Sequence, residues 1–156
     1  MSHTQTAGNY CSHCYRFITT MDGRSLIDVA RELAAGSSEA HWRSSVGRAY
    51  YALLHEVLAA LRHWGFSTPP RDRVHTFARL KLVYATDIDL KRIGLTLEAL
   101  GRLRNAANYQ LAQSSPFPSA RIAVSAMTDS EAAVTLLDAL DANPARRATA
   151  MGSIPP

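Results

Sequence analysis

The sequence predicts an all-α fold, an antiparallel bundle of four to five helices. Apolar residues recur at spacings of three and four in five successive stretches, the period of a helix that buries one face. Within those stretches Ala and Leu outnumber β-branched residues, which favours helix over strand. The links are short and rich in Gly, Pro, Ser or Asp, as expected where neighbouring helices reverse direction. A chain of 156 residues supports one hydrophobic core, so a single domain is expected.

Residues 1–24 are polar and aperiodic and read as a flexible N-terminal extension. Ser25 and Asp28 form a capping-box-like pair ahead of Leu26, Ile27, Val29, Ala30 and Leu33, a first helix that stops near Gly36. Ser37 or Ser38 caps a longer second helix, whose stripe runs through Val46, Ala49, Tyr50, Leu53, Leu54, Val57, Leu58 and Leu61 as far as Gly65. The prolines of GFSTPPRD (65–72) break the pattern, and Val74, Phe77, Ala78, Leu80, Leu82, Val83 and Tyr84 make a third, shorter helix. Thr86 and Asp87 open a fourth, from about 87 to 113, with Leu90, Ile93, Leu97, Leu100, Ala107 and Leu111 in phase. After SSPFPS a fifth, from about 119 to 140, places Ile122, Ala126, Ala133, Val134, Leu137 and Leu140 on one face. The helical domain is therefore expected over 25–141, with 142–156 a disordered tail.

The net charge of +4 permits attraction to a polyanion without requiring it. Fifteen of the 17 basic residues are Arg, the side chain suited to bidentate phosphate recognition, although a GC-rich genome gives the same bias. No stretch reaches the eighteen or so apolar residues of a membrane helix and the first twenty residues carry no apolar signal core, so a cytoplasmic protein without a membrane partner is expected. Cys11, His13 and Cys14, beside His3, carry zinc-type ligands, but a structural zinc site needs two ligand pairs, so no metal and no other cofactor is expected.

Arg104 is the most informative residue. At 100° per residue it lies within about 20° of Ile93 and Leu97 on the fourth helix, which carries a cation along the apolar stripe. Either a carboxylate pairs with it inside the fold, or the stripe opens there into a polar cleft or a dimer seam. Asn105, Asn108 and Tyr109 follow within RNAANY (104–109), and Asn108 sits one turn from Arg104. On the second helix Arg48, Tyr51 and His55 form a polar stripe away from the leucines that can face Arg104. Arg71, Arg73, His75, Arg79 and Lys81 are the densest basic cluster, a solvated face or the rim of a phosphate-binding cleft.

The run GRAYYALLHEVLAAL (47–61) resembles the second-helix signature of HEPN domains, and LEALGRLRNAANY (97–109) is similar to the family's fourth-helix segment, in which Arg is followed by a polar residue and, after a spacer, by His or an Asp-Tyr pair. The resemblance spans about residues 25–140 and implies a four-to-five-helix bundle, a homodimer with the Arg motifs facing each other and, in active members, metal-independent RNA cleavage. By that resemblance Arg104 holds the scissile phosphate and Asn105 is the polar residue after it. Tyr109 stands where many active members have His, and Asn108 where the pair has Asp. Tyrosine, with a pKa near 10, is a poor base, so His55 is the candidate for the missing imidazole. Some family members are toxins silenced by a nucleotidyltransferase that modifies a tyrosine, for which Tyr109 would be the site; its position does not fit that pattern well.

Two functions are therefore expected. The first is a metal-independent endoribonuclease or toxin-like RNA-binding protein, with Arg104, Asn105, Tyr109 and His55 at the reacting phosphate and Arg48, Tyr51, Asn108, Arg71 and Arg73 along the strand. The second is an inactive HEPN module that binds a nucleotide or a protein partner, such as a nucleotidyltransferase. Outside the family stands a plain helical adaptor, in which Arg104 is only an internal ion-pair partner.

Overall fold

A computed structural model describes residues 21–112 and 117–156, and among them the chain is helical with no strand. The helices are α1 (Ser25–Ala34), α2 (Glu39–His63), α3 (Val74–Val83), α4 (Ile88–Tyr109), α5 (Arg121–Ala142) and α6 (Pro144–Gly152). None of them is long and apolar enough to cross a membrane. Residues 1–20, with His3, Cys11, His13 and Cys14, lie outside the described residues, as do 113–116 between α4 and α5.

α2 occupies the middle of the bundle and packs on α1, α3, α4 and α5. Its stripe is the one read from the sequence: Val46, Ala49, Leu53, Leu54, Val57 and Leu61 are each at most 2% exposed. A fully buried Leu or Val contributes about 1.5–3 kcal/mol, so this face accounts for much of the driving force for assembly. Two serines with no exposed surface sit at the crossings and satisfy their hydroxyls locally: Ser45 donates to the Ala30 carbonyl of α1 at 2.7 Å, and Ser130 of α5 to the Ala49 carbonyl of α2 at 2.9 Å. Ser38 caps α2, accepting from the His41 amide. At the other end Gly65, with φ +89°, closes a Schellman turn in which its amide reaches the Arg62 carbonyl and that of Phe66 reaches Leu61.

Three local expectations are corrected. α1 is not capped by a Ser25–Asp28 box; the carboxylate of Asp22 accepts from both the amide and the hydroxyl of Ser25 at 2.8 Å, and Asp28 pairs with Arg31 instead. α4 stops at Tyr109, and Leu111 is 71% exposed rather than in the core. The cause is Arg43 of α2, buried to 7% exposure, whose guanidinium donates to the carbonyls of Ala106 and Ala107 at 3.1 Å and of Gln110 at 3.5 Å while stacking on Phe117. It satisfies the orphan carbonyls of the last turn and neutralises the negative end of the helix.

The third correction concerns the expected disordered tail, which instead forms α6. Asn143 caps it, accepting from the Ala145 and Arg146 amides, and Pro144 occupies the first turn, where its missing N–H costs nothing. Arg146 then grips Asp87 at 2.5 and 3.0 Å and Asp89 at 2.7 Å, while Asp87 also caps α4 through the Asp89 and Leu90 amides. Beyond the helix Ile154 is buried, Ser153 accepts from the Thr86 amide and Pro155 accepts from Lys81 Nζ. Composition made the segment look unstructured because its anchoring partners lie some sixty residues away.

α3 reaches α4 through Gly94: a Cβ there would lie 2.7 Å from the Val83 nitrogen and 2.8 Å from two atoms of Leu82. Gly94→Ala should therefore destabilise the protein, by about 1–3 kcal/mol from overpacking, although helix propensity alone favours Ala by about 1 kcal/mol. Urea unfolding checks the sign, and a gain in stability would refute the close approach.

The second test is on α6. The Arg146 hydrogen bonds, with help from the helix amides, hold the Asp87 carboxyl below its usual range. A depressed carboxyl stabilises the fold above its unfolded value of about 3.9, and that contribution disappears as pH falls through the folded value. Arg146→Ala should thus melt below wild type at neutral pH, with the difference shrinking in acid. Equal melting temperatures at pH 7 would show that the clamp is idle.

Candidate functional site

Two consecutive tyrosines of α2 organise a cluster of polar side chains drawn from α2, α3 and α4. Successive residues on a helix point about 100° apart, so Tyr50 turns toward α3 and the core, only 5% exposed, while Tyr51 stays half-buried at the edge of α4. The Tyr50 hydroxyl lies 2.7 Å from Nδ1 of His75 in the first turn of α3, and the two rings are nearly parallel. The Tyr51 hydroxyl accepts from Nη2 of Arg104 at 2.5 Å. Adjacent residues of one helix thereby fix an imidazole and a guanidinium.

Arg104 is held almost entirely by uncharged groups. Its other terminal nitrogen donates to Asn105 Oδ1 at 2.9 Å, and its guanidinium carbon sits 5.3 Å from the Tyr51 ring centre, 5.7 Å from Tyr109 and 5.9 Å from Tyr50. Among the described residues no carboxylate lies within ion-pair distance of it, and its Nε is buried with no hydrogen-bond partner. The nearby carboxylate, Glu98, is engaged by Arg79 at 2.9 Å and Arg102 at 3.4 Å. Among the described residues the intramolecular ion pair that the sequence left open is therefore not formed, and the apolar stripe opens into a polar cleft.

That cleft, about 360 Å³, lies between α2, α3 and α4; Tyr50, His75, Arg79, Glu98, Arg102 and Arg104 all line it. Three guanidinium groups against one carboxylate leave it positively charged. Larger grooves of about 550 and 620 Å³ run between α4 and α5, but their walls are mainly aliphatic and hydroxyl side chains with Lys91, Arg92 and Asp129 at the edges. Size and chemistry thus point to different places, and the chemistry marks the smaller cleft.

Burial, and then the positive charge of Arg104, push the His75 imidazole below its ordinary value, and burial pushes the Tyr50 phenol up. Both shifts favour the uncharged form.

Of the residues singled out from the sequence, Arg104, Asn105, Tyr51 and Tyr109 come together here. His55, one turn beyond Tyr51, is exposed with its ring centre 6.4 Å from the Tyr51 ring. Arg48 and Asn108 are exposed on α2 and α4 and do not line the cleft; Arg71 and Arg73 lie in the exposed turn before α3, Arg73 at 3.7 Å from Asp72. Sequence reasoning placed Tyr50 in the core stripe and His75 in a general basic cluster. The signal that marks His75 is the i, i+4 pair His75 and Arg79, which lie on one edge of a short helix.

Replacing Arg104 by Ala should cost about 1–2 kcal/mol, the scale of a hydrogen bond and ring contacts, and far less than the roughly 3–5 kcal/mol of a stranded buried partner charge. A chemical denaturation curve displaced by the larger amount would show that Arg104 is a structural ion-pair partner after all. No family model matches the chain, and no curated protein or solved structure matches it.

Proposed function

We propose that the cleft binds the phosphodiester backbone of RNA and cleaves it without a metal, in the manner that the HEPN resemblance of its second- and fourth-helix segments implies. The observation that carries this reading is Arg104: a guanidinium with no carboxylate partner among the described residues, oriented by a tyrosine hydroxyl and aromatic faces in a cleft of net positive charge. Desolvating a cation without an internal counter-charge is costly, and an anionic ligand removes that cost. A phosphate is the fitting anion because the guanidinium fork matches its oxygens and Arg79 and Arg102 extend the positive wall.

Cleavage by the ribose 2′-hydroxyl forms an O2′–P bond and breaks the P–O5′ bond, leaving a 2′,3′-cyclic phosphate and a 5′-hydroxyl. Arg104 neutralises the charge that builds on the equatorial oxygens, Asn105 keeps its fork in place, and an imidazole beside the cleft accepts the attacking proton. Tyr109, 73% exposed at the end of α4, offers a face on which an unstacked base can lie. Two copies of the chain pair with their clefts facing, which would cover Tyr109 and Leu111, and the protein acts in the cytoplasm where RNA is available.

Incubation of purified protein with a mixed RNA in EDTA should yield fragments ending in cyclic phosphate, and Arg104→Ala should lower the rate by about 10²–10³-fold with melting little changed. Binding to an all-2′-deoxy strand should weaken with added salt, as phosphate contacts require. A folded wild type that leaves RNA intact but binds nucleotide would replace the enzyme with a non-catalytic binding module.

A further inference from the structure

The polar cleft contains an imidazole that the resemblance does not assign. The resemblance looks for a histidine after Arg104 on α4, where this chain has Tyr109, and His55 of α2 is exposed and does not line the cleft. His75 comes from a third helix, lines the same cleft as Arg104, and is tied to it through the tyrosine pair.

We infer that His75 is the base that removes the proton from the attacking 2′-hydroxyl, and that Tyr50 is the positioning residue that sets its ring. The inference rests on Arg104 binding the phosphodiester. The geometry supplies three requirements of such a base. It is held rigidly, since Tyr50 is almost wholly buried and its hydroxyl lies 2.7 Å from Nδ1. It is held at a fixed offset from the phosphate ligand, because Tyr50 and Tyr51 are neighbours on one helix and the His75 and Tyr51 ring centres are 6.0 Å apart. It also faces the cleft, half-buried, with room beside it for a sugar.

The tautomer follows from the role. Nδ1–H donates to the Tyr50 oxygen, which leaves the lone pair on Nε2 to accept the proton from O2′. O2′ bonds to phosphorus, O5′ departs with the electrons of the P–O5′ bond and takes a proton from water, and the proton on His75 then passes to solvent. The charged and titratable groups around the ring are Tyr50, Tyr51 and His55 on α2, Arg79 on α3, and Glu98, Arg102 and Arg104 on α4. Burial, and then the Arg104 guanidinium, lower the imidazole from its ordinary value and so favour its neutral, accepting form. Because the base works only when neutral, the acid limb of the rate profile lies below the ordinary imidazole value of about 6.5.

The test compares His75→Ala, His75→Asn, Tyr50→Phe, His55→Ala and Arg104→Ala with wild type. Each is assayed for RNA cleavage in EDTA across pH, for affinity toward an all-2′-deoxy strand and for melting temperature. The two His75 variants should lose about 10²–10⁴-fold in kcat. His75→Asn, which can still bond the Tyr50 hydroxyl, should melt close to wild type and His75→Ala somewhat below it; both should bind the deoxy strand within about twofold, since the lost group acts in the transition state. Tyr50→Phe should slow cleavage by about tenfold and move the acid limb, an effect that a merely structural ring would not produce. His55→Ala should remain within about twofold of wild type in kcat.

Cleavage at the wild-type rate by folded His75 variants would overturn the assignment while leaving Arg104 as the phosphate ligand, and a loss confined to His55→Ala would move the base to α2. Absence of any cleavage by wild type would overturn it together with the enzymatic reading. Whether Arg104 binds phosphate is then read separately, from the deoxy-strand affinity of Arg104→Ala.

Discussion

α2 is 25 residues long and is in contact with α1, α3, α4 and α5, so its surface must satisfy four different neighbours at once. An apolar stripe alone cannot meet that demand. Where helices cross closely the chain uses small residues and buried serines that return their hydroxyls to a neighbouring carbonyl, and where α2 meets the end of α4 it uses Arg43. The helix therefore presents leucines through its middle and hydrogen-bonding side chains at its margins. The position of every functional group in the cleft is referred to this one rod.

The cleft lies between α2, α3 and α4, and His75 in the first turn of α3 reaches Tyr50 on α2. Gly94 lets α4 approach the Leu82–Val83 backbone of α3, and across that contact Arg79 reaches Glu98 while His75 lines the same cleft as Arg104. Arg43 fixes where α4 ends and so where Tyr109 leaves the helix. The tyrosine pair joins these elements, since one hydroxyl meets α3 and the next meets α4. A burial pattern that places phenol, imidazole and guanidinium in contact, with no counter-charge on the last among the described residues, is poor as a stability device. It suits a site that takes up an anion.

The α6 segment illustrates a different use of charge. Asp87 is at once the N-cap of α4 and the anchor for Arg146, so the start of α4 and the return of the C-terminal residues depend on one carboxylate. Lys81 and Thr86 add bonds to the backbone beyond α6, and Ile154 closes the apolar surface beneath. The opposite end of α4 is held by a cation, Arg43, so the helix that carries Arg104 is gripped at both termini by charges of the sign its dipole favours.

The helices with a strong three-four pattern could be read from the chain alone: the stripe of α2, a cap at Ser37 or Ser38, a start at Thr86 and Asp87 and the break at Gly65 through Pro70 follow from spacing, side-chain oxygens and backbone conformational limits, all of which are local. The odd placement of Arg104 on an apolar face was visible for the same reason, as were its neighbours Asn105 and Tyr109. What spacing does not contain is the partner across the fold. The segment that folds as α6 looked unstructured because its stability comes from Asp87 and Asp89, and α4 ends early because Arg43 takes its last carbonyls. Tyr50 passed for a core ring, and His75 for one residue of a basic run, until α3 was laid against α2. Periodicity is a property of one helix, whereas a site made from three is set by how they pack, and only that packing brings His75, Tyr50 and Arg104 into a common cleft.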